Sequence, residues 1–408
     1  MKPLGPIPDG FTAVGGELAV DGVPASVLVA RAGRTPCFVY SRAMIAKRIA
    51  ALRAAMPPRL ALHYAVKANP LPALLVAMSG LVDGFDIASG GELAIVSGAG
   101  IDPSRLSFAG PGKRDEELSA AIVAGATLNL ESAREAERAL AAADRLGIAP
   151  RLAVRVNPDF DLRGSGMKMG GGAKPFGIDA AQVPALVRTI LRAGAEWRGF
   201  HIFAGSQALD AAAIAETQAL TLTLAAQLAD AVGEPLPACN LGGGFGIPYF
   251  PGDVPVDIGH VGTELSNHFA NLPQVLEQTQ FCIELGRYLV GPAGVYLTRI
   301  VERKLSHGQS FLITDGGLHH QLAASGNFGT VVRRNYPVAI ASRFDAAPSE
   351  EASVVGCLCT PLDRLADAAL FPRAEEGDLV AVFCAGAYGA TASPAAFLGH
   401  GPAAELLL

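Results

Sequence analysis

The sequence predicts an α/β protein built from a (β/α)8 barrel and an all-β C-terminal domain. Short apolar runs rich in β-forming residues alternate with helical stretches up to about residue 290. Polar residues or glycines follow nearly every run, at the strand end where barrel active sites are built. Beyond residue 290 the helical rhythm stops and strand-like segments follow one another.

The predicted barrel rests on eight strand-like runs, the number and spacing that a barrel needs. They lie at 60–66, 81–85, 105–108, 127–130, 152–156, 198–204, 237–241 and 280–283. Helical patterns lie between them, at 114–125, 131–147, 179–194, 209–232 and 261–278. A doubly wound open sheet also alternates strands and helices, but its polar strand ends cluster at one switch point. Polar ends on all the runs favour the barrel.

The remaining elements predict three regions, 1–40, 41–290 and 291–408. The first has strand-like segments at 11–14, 17–20 and 37–40, and a helix is expected at 41–56. The last has strand-like segments at 296–304, 310–314, 331–332, 336–340 and 379–383. We expect the N-terminal strands to join the C-terminal β domain, so that the barrel is an insertion between two parts of it.

The amino-acid composition argues against several classes of function. Half of the residues are hydrophobic and 17% are charged, so a large core is expected. The net charge of −6 gives no basic footprint for nucleic acid. No apolar run approaches a membrane span, and the N-terminus lacks a signal-peptide core. The six cysteines show neither a CxxC pair nor zinc spacing, so we expect reduced thiols in a cytoplasmic protein and no metal site.

The first run ends at Lys67, and the turn signal Asn69-Pro70 follows at once. A lysine at the inner end of a buried strand loses hydration, and burial lowers the pKa of its ammonium toward the neutral, nucleophilic form. Schiff-base lysines need that form. The alternative is a lysine that reaches the surface from a strand end.

Two anion sites are predicted on the barrel rim. Gly242-Gly243-Gly244 would let backbone N–H groups approach a phosphate, and Gly286-Arg287 adds a further N–H and a fixed cation. They follow the seventh and eighth runs, where barrels often bind phosphate, although a triple glycine alone indicates only a tight turn. With Lys67 and the acid Glu284 on the same face, the pattern indicates pyridoxal phosphate, whose ring nitrogen a carboxylate keeps protonated.

From about Thr35 to Phe397 the chain resembles the fold-type III pyridoxal-phosphate decarboxylases, which include the diaminopimelate, ornithine and arginine decarboxylases. The resemblance implies an alanine-racemase-like barrel. Its motifs stand here as His63-Tyr64-Ala65-Val66-Lys67-Ala68-Asn69, Phe85-Asp86-Ile87-Ala88-Ser89-Gly90-Gly91-Glu92, Gly205-Ser206-Gln207, Gly242-Gly243-Gly244, Glu284-Leu285-Gly286-Arg287, Cys359-Thr360-Pro361-Leu362-Asp363 and Gly386-Ala387-Tyr388.

The resemblance also implies roles for individual residues. Lys67 would form the Schiff base, Glu284 would pair with the pyridine nitrogen, and Cys359 would reprotonate the carbanion from the partner subunit of a homodimer. Cys357 is expected to be a buried thiol of the β domain. The remaining cofactor contacts would be Asp86, Arg155, Phe203, Gly205, Ser206, Gly243, Gly244, Gly286, Arg287 and Tyr388.

The chain departs from the family at positions that would recognise the substrate. Thr360 replaces the acid that reads a distal amine, and Phe203 replaces the histidine over the ring, where it could still stack. In these departures, and in segments 166–172 and 315–337, the chain resembles a side branch of the family. That branch contains a glutamyl-carrier-protein decarboxylase and relatives encoded with bacterial exopolysaccharide systems. The candidate substrate contacts are Arg333, Arg334, His319, Thr360 and Asp363.

Two regions leave alternatives open. The glycine-rich segment 164–173 is expected to be a mobile lid or entrance loop, or else a disordered surface loop. Arg333 and Arg334 could hold a carboxylate or phosphate, or form a solvated basic strand. His319 and His320 could not easily ligate one metal, because neighbouring strand residues point to opposite faces.

The expected activity is α-decarboxylation of an L-amino acid or a carrier-bound aminoacyl group, through a Schiff base on Lys67, loss of CO₂ and reprotonation by Cys359. The alternatives are diaminopimelate decarboxylase proper, an amino-acid racemase and a non-catalytic homologue. Racemases on this fold place an arginine at the pyridine nitrogen and use a tyrosine as second base, and Glu284 and Cys359 argue against both features.

Overall fold

A computed structural model of the chain describes residues 1–325 and 334–408. The predicted strand 331–332 and Arg333 lie outside the described residues. Two compact units are present. The barrel unit consists of Ile49–Gly246 and Pro255–Gly286, and the β unit consists of Met1–Arg48, Ile247–Val254 and Arg287–Leu408.

The barrel unit confirms the predicted fold, because eight parallel strands form a closed sheet. Each of the eight predicted runs overlaps one of its strands. The last strand pairs with the first, with Phe281 opposite Leu60 and Glu284 opposite His63, and this pairing closes the barrel. The strands are β1 (Leu60–Ala65), β2 (Gly84–Ile87), β3 (Leu106–Phe108), β4 (Thr127–Leu130), β5 (Arg151–Asn157), β6 (Glu196–Ile202), β7 (Ala238–Gly243) and β8 (Gln280–Leu285).

Helices follow most of the strands and begin and end where the sequence supplies caps. Ser89, Ser132 and Asp210 each accept a backbone N–H of the first helical turn. Gly125, Gly147 and Gly233 end helices in the left-handed region. The helices are Arg42–Ala55, which begins in the β unit, and Pro72–Ser79, Gly90–Gly98, Asp115–Ala124, Ala133–Leu146, Val183–Arg192, Ala211–Val232 and Ile258–Ala270.

Strand alternation gives the barrel an apolar outside and a polar inside. In β1, Leu62 and Tyr64 are buried and apolar, whereas His63 lies between them on the opposite face. Strand register then sets polar side chains side by side: Glu284 is opposite His63, and His201 is opposite both Arg155 and Asn240. The lumen is therefore lined by groups able to bind a charged ligand.

The β unit is organised around one long strand, Gly294–Ser306, which pairs with Cys37–Tyr40, Gln309–Thr314 and Leu379–Val382. Further strands of this sheet are Val338–Ile340, Glu350–Val355, Arg364–Phe371 and Ala404–Leu407. A separate small sheet contains Phe11–Val14, Glu17–Val20 and Val23–Pro24. The core of this unit is apolar and includes Leu28, Val39, Leu297, Ala381 and Phe383.

Several elements of the β unit were not predicted. Ala25–Ala32 is a helix in a region expected to hold only strands, although its three valine and leucine residues favour either state. Strands Glu350–Val355, Arg364–Phe371 and Ala404–Leu407 are rich in alanine or acidic residues, which are depleted in strands. Pairing with neighbouring strands overrides that local preference. Among the described helices, none is long and apolar enough to cross a bilayer.

Candidate active site

Lys67 lies just past the end of β1, in the short 3₁₀ turn Val66–Ala68. Its side chain is exposed, so the predicted burial is wrong. The strand ends at Ala65, and the turn carries Lys67 beyond the buried strand to the barrel rim. Its Nζ lies 5.9 Å from the ring centroid of Phe203, which is buried after β6. The turn also abuts Gly286, since a Cβ there would lie 2.7 Å from the Ala68 side chain.

Glu284 is the central carboxylate of the lumen. It is buried near the end of β8, and its Oε2 accepts hydrogen bonds from Asn240 Nδ2 at 3.0 Å and pairs with His201 Nε2 at 3.0 Å. No described residue donates a hydrogen bond to Oε1 of Glu284. One oxygen thus fixes the orientation of the carboxylate, and the other is available to a ligand.

The charge on Glu284 is maintained by its surroundings. Burial alone would raise the pKa of this carboxyl, but the opposing effects of His201, Lys67 and Arg155 are larger and lower it to about 2. Glu284 is therefore a carboxylate at any physiological pH. A fixed negative charge in the lumen suits a cationic or N–H-bearing ligand.

Asn240 connects Glu284 to the triple glycine. While its Nδ2 donates to Glu284, its Oδ1 accepts the N–H of Gly242 at 2.8 Å. The backbone passes too closely for side chains here: a Cβ on Gly243 would lie 2.0 Å from Glu284 O, and one on Gly244 would lie 2.1 Å from Gly205 O. Gly244 also has φ +76°, in the region that favours glycine. The three glycines form a bare backbone turn, as an anion site requires.

Gly205 and Ser206 lie beside this turn and pair with Met167 and Lys168 in a short antiparallel ribbon. The N–H groups of Met169 and Gly170 both donate to Ala204 O at 3.1 Å. A Cβ on Gly205 would lie 2.8 Å from Ser165 Oγ. The glycine-rich segment 164–173 is thus hydrogen-bonded to the backbone around Ser206.

Asp86 lies in β2, is buried, and is close to His63 of the neighbouring strand β1. His63 Nδ1 is 3.2 Å from Asp86 Oδ2, but neither carboxylate oxygen of Asp86 has a hydrogen bond aligned to a described residue. Burial by itself would lower the pKa of His63, yet Cys282 and Asp86 raise it well above its ordinary value. Gly84 makes room for the imidazole, since a Cβ there would lie 2.5 Å from its Nε2.

Arg155 belongs to a buried ion-pair network at the same rim. Its guanidinium is 3.0 Å from Glu131 Oε1, and Glu131 also accepts the N–H groups of Gly110 and Gly177. Burial would raise the pKa of Glu131, but Arg155 and Lys113 hold it below its usual range. With its charge satisfied by Glu131, Arg155 is held in position, and it still helps to keep Glu284 ionised.

In the β unit, Arg287 is the next residue after Gly286 and is held between aromatic side chains. It donates to Tyr249 Oη at 2.6 Å, and its guanidinium carbon lies 4.7 Å from the ring centroid of Tyr388. Its Nε is buried without a hydrogen-bond partner among the described residues. Because an unsatisfied buried donor is costly, this atom is a candidate donor to an anion.

The predicted catalytic cysteine lies in the loop after strand Glu350–Val355. Cys359 is exposed and Thr360 is half-buried, its hydroxyl accepting the N–H of Leu362. Asp363 is buried instead, and its two oxygens accept the N–H groups of Leu318 and Leu358 at 2.6 and 2.9 Å. Asp363 therefore organises the loop through both of its carboxylate oxygens.

The other predicted substrate contacts differ in how deeply they are buried. His319 is fully buried, with both ring nitrogens unpartnered among the described residues. Arg334 is exposed, with its guanidinium carbon 3.8 Å from the ring centroid of Phe250. Cys357, expected to be buried, is half-buried and donates to Asp315 O at 3.6 Å. Arg333 lies outside the described residues.

These features fit pyridoxal phosphate. Glu284 Oε1 and both oxygens of Asp86 lack aligned donors among the described residues, and the glycine turn excludes side chains. Lys67 reaches the rim beside an aromatic ring. A cationic heteroaromatic ring with a phosphate tail would satisfy such a set of groups.

Sequence reasoning did not identify three groups that the structure brings to Glu284 and its neighbours. His201 and Asn240 bind Glu284 directly, although they lie 83 and 44 residues from it in the chain. Glu131 neutralises Arg155 from the preceding strand end. The one available signal was position, since each of these residues lies in or directly after a predicted strand, where inward-facing polar residues are expected.

Comparison with known proteins agrees with this geometry. Residues 42–291 match the family described as pyridoxal-dependent decarboxylase, pyridoxal binding domain. The chain is 35% identical over 379 residues to the L-glutamyl-[BtrI acyl-carrier protein] decarboxylase of Niallia circulans, covering 91% of this chain and 88% of that protein. It is 32% identical over 380 residues to diaminopimelate decarboxylase of Aquifex aeolicus, covering 92% and 86%.

Among solved structures, diaminopimelate decarboxylase from Helicobacter pylori complexed with L-lysine superposes with a TM-score of 0.81. The two chains are 26% identical, and the match covers 94% of each. Family, relatives and fold therefore agree over nearly the whole chain. The protein belongs to the pyridoxal-dependent decarboxylases and is a carboxy-lyase that uses pyridoxal phosphate.

Proposed function

We propose that the protein removes the α-carboxyl group of an L-amino acid and that a carrier-bound aminoacyl group is its first candidate substrate. The observation that carries the proposal is the environment of Glu284. Its carboxylate stays ionised, is fixed on one oxygen by His201 and Asn240, and keeps the other oxygen for a ligand. A carboxylate in this position favours decarboxylation over racemisation, because racemases on this fold weaken the electron sink with an arginine.

The barrel residues would divide the binding of the cofactor among them. Lys67 would hold the aldehyde carbon covalently, and Glu284 would face the ring nitrogen. The backbone of Gly243 and Gly244 would hold the phosphate with the hydroxyl of Ser206. Phe203 offers an aromatic face close to Lys67 in place of the family histidine.

Asp86, Arg155, Gly205, Gly286, Arg287 and Tyr388 complete the proposed set. Asp86 carries a buried carboxylate without aligned donors among the described residues, and Arg287 has a buried Nε in the same condition. Gly205 and Gly286 supply backbone where a side chain would collide. These observations support a role for each of these residues in binding the cofactor.

When bound, the cofactor supplies the electron sink that lets CO₂ leave. The chain must then deliver a proton to Cα. We assign this step to the Sγ of Cys359, which is exposed in its loop. By resemblance the thiol serves the site of a partner subunit, so the proposed assembly is a homodimer in which each active site is completed by both chains.

Thr360 supports the choice of substrate. An acid at this position would pair with the distal ammonium of diaminopimelate or ornithine, and threonine cannot. The Niallia circulans relative is named for a glutamyl group on a carrier protein. A substrate without a distal ammonium agrees with both observations. Diaminopimelate remains the second candidate, since the other relatives carry that name.

The deciding experiment is a CO₂-release panel. It compares free diaminopimelate, lysine, ornithine, arginine and glutamate with a glutamyl group joined to an acyl carrier protein through its side-chain carboxyl, so that the α-carboxyl is free to leave as CO₂. We expect release from the carrier-bound substrate and little from any free amino acid. Efficient turnover of free diaminopimelate would replace the first candidate by the second, and formation of a D-amino acid without CO₂ would overturn the reaction.

The same preparation tests the lysine. Lys67→Ala should abolish both turnover and the absorbance of the lysine-bound cofactor, because no other group can form that covalent link. Lys47→Ala is the control, since Lys47 is an exposed lysine of the helix Arg42–Ala55. Unchanged turnover in Lys67→Ala would contradict the assignment.

A further inference from the structure

Three separated segments of the β unit bring metal-binding side chains together. His319 lies in a turn after strand Gln309–Thr314, Cys357 lies in the loop that follows Glu350–Val355, and His400 lies in a turn close to the C-terminal strand. One ligand atom from each residue falls within 4.8 Å of the other two. Only His319 of the three belongs to the substrate contacts predicted above, and the reaction assigns no task to Cys357 or His400.

His319 indicates that this cluster binds something. It is fully buried, and neither ring nitrogen has a hydrogen-bond partner among the described residues. Leaving a buried polar group unsatisfied is unfavourable. Burial, followed by His320 and His400, lowers the pKa of His319 to about 4, so the ring is neutral and has a lone pair to donate.

The neighbouring His320 shows the opposite condition. Its Nδ1 is 3.2 Å from Tyr296 Oη, and its Nε2 is 2.9 Å from Gly401 O. Both nitrogens are thus satisfied within the chain. The contact with Gly401 also holds the turn that carries His400, so His320 positions a ligand and leaves His319 to bind.

Cys357 supplies the third group. Its Sγ is 3.9 Å from His400 Nε2, close to the roughly 3.6 Å that separates sulfur and nitrogen ligands around a tetrahedral zinc ion. Burial, followed by Asp363, raises the pKa of this thiol, so it stays protonated until a cation replaces the proton.

We propose that His319, Cys357 and His400 bind one zinc-class divalent cation, with a water molecule in the fourth position. Two imidazole nitrogens and one thiolate sulfur make a borderline-soft set, which suits Zn²⁺ and excludes Mg²⁺ and Ca²⁺. On binding, the S–H bond of Cys357 breaks, the S–Zn bond forms and the proton passes to solvent. The oxidation state of the metal does not change.

The ion would link the three chain segments that carry its ligands. Cys357 lies two residues before Cys359, so the metal would fix the loop that presents the proposed catalytic thiol. This consequence rests on the proposed function, whereas the metal site itself does not. The site is therefore assigned a structural role, with one coordination position open to water.

The experiment uses the full-length holoenzyme after dialysis against a chelator. Zn²⁺ is added, unbound ion is removed by gel filtration, and metal is counted per chain. Co²⁺ is then used as a spectroscopic probe, because a tetrahedral site with a thiolate gives intense ligand-field bands and sulfur-to-cobalt charge transfer. We expect one ion per chain, both signatures, and a higher melting temperature with Zn²⁺ than without.

Two variants and two controls separate this site from adventitious binding. Cys357→Ser and His319→Ala should each weaken Zn²⁺ binding by roughly 100-fold or more and abolish the rise in melting temperature. Cys357→Ser preserves size at a half-buried position, so it tests the site even where His319→Ala fails to fold. His307→Asn changes an exposed histidine of the same unit and should retain one ion per chain.

Lys67→Ala serves as the second control, because the cofactor can itself chelate metals. It should retain the metal even though it loses turnover, so failure of the decarboxylase assignment stays distinguishable from failure of the metal site. Equal Zn²⁺ affinity in the unaltered protein and Cys357→Ser would overturn the proposal. So would a cobalt spectrum without thiolate charge transfer.

Discussion

The barrel lumen and the Cys359 loop differ in how closely they follow the family. In the lumen, Glu284, the glycine turn and Ser206 stand where the resemblance places cofactor contacts. In the loop, Thr360 stands where the family has an acid, and Asp363 accepts two backbone N–H groups. The proposed function therefore assigns chemistry and substrate choice to different parts of the molecule, so that one could change while the other is kept.

Glu284→Gln has the largest expected effect. Glutamine keeps an oxygen for His201 and Asn240 but loses the negative charge that would face the cofactor nitrogen. We expect kcat to fall by about 10²–10⁴-fold, with the protein folded and the cofactor bound, measured as CO₂ release. Glu135→Gln removes another buried carboxylate of the barrel unit, paired with Lys113, and should leave kcat nearly unchanged. Similar losses in both variants would contradict a special role for Glu284.

Gly244→Ala tests the phosphate turn. The new Cβ would lie 2.1 Å from Gly205 O at φ +76°, so the turn must open. We expect the affinity for pyridoxal phosphate to fall by roughly tenfold or more, about 1.4 kcal/mol, measured by equilibrium dialysis. Gly125→Ala is the matched control, because Gly125 has a similar φ of +79° but an added Cβ would have no atom within 4 Å. Equal loss of cofactor affinity in the two variants would remove the turn from the cofactor site.

Asp363→Asn tests whether Asp363 stabilises the Cys359 loop. One of the two backbone N–H groups would face an NH₂ group instead of an oxygen, so a buried bond is lost. We expect the free energy of unfolding to fall by about 1–3 kcal/mol, measured by urea denaturation. Asp345→Asn, at an exposed carboxylate, is the control and should change little. An unchanged stability in Asp363→Asn would contradict this structural role of Asp363.

Thr360→Glu has the smallest expected effect and the most specific one. It restores the acid that reads a distal amine in the diaminopimelate branch. We expect kcat/KM for free diaminopimelate to rise by about tenfold relative to the carrier-bound substrate. Thr360→Gln adds the same length without charge and should not reproduce the gain. A gain that depends on length alone would show that Thr360 does not decide substrate charge.

The sequence was sufficient for the barrel because each of its strands combines an apolar run with a polar end. It was insufficient for Glu350–Val355 and Arg364–Phe371, where pairing between strands outweighs weak local preference. Within the site, Lys67 and Glu284 follow from motifs. His201 and Asn240 could not be assigned, because their partner lies far away in the chain and only barrel closure and register bring them to it. The exposure of Lys67 likewise depends on where the strand ends.

Asn240 has a consequence for how such enzymes diversify. One amide spans the carboxylate that would face the ring nitrogen and the turn that would hold the phosphate. Both ends of a rigid ligand are thus registered to a single side chain, and any shift of one end is transmitted to the other. In the proposed cofactor site the two ends therefore depend on each other through Asn240, whereas the Cys359 loop could change with the substrate.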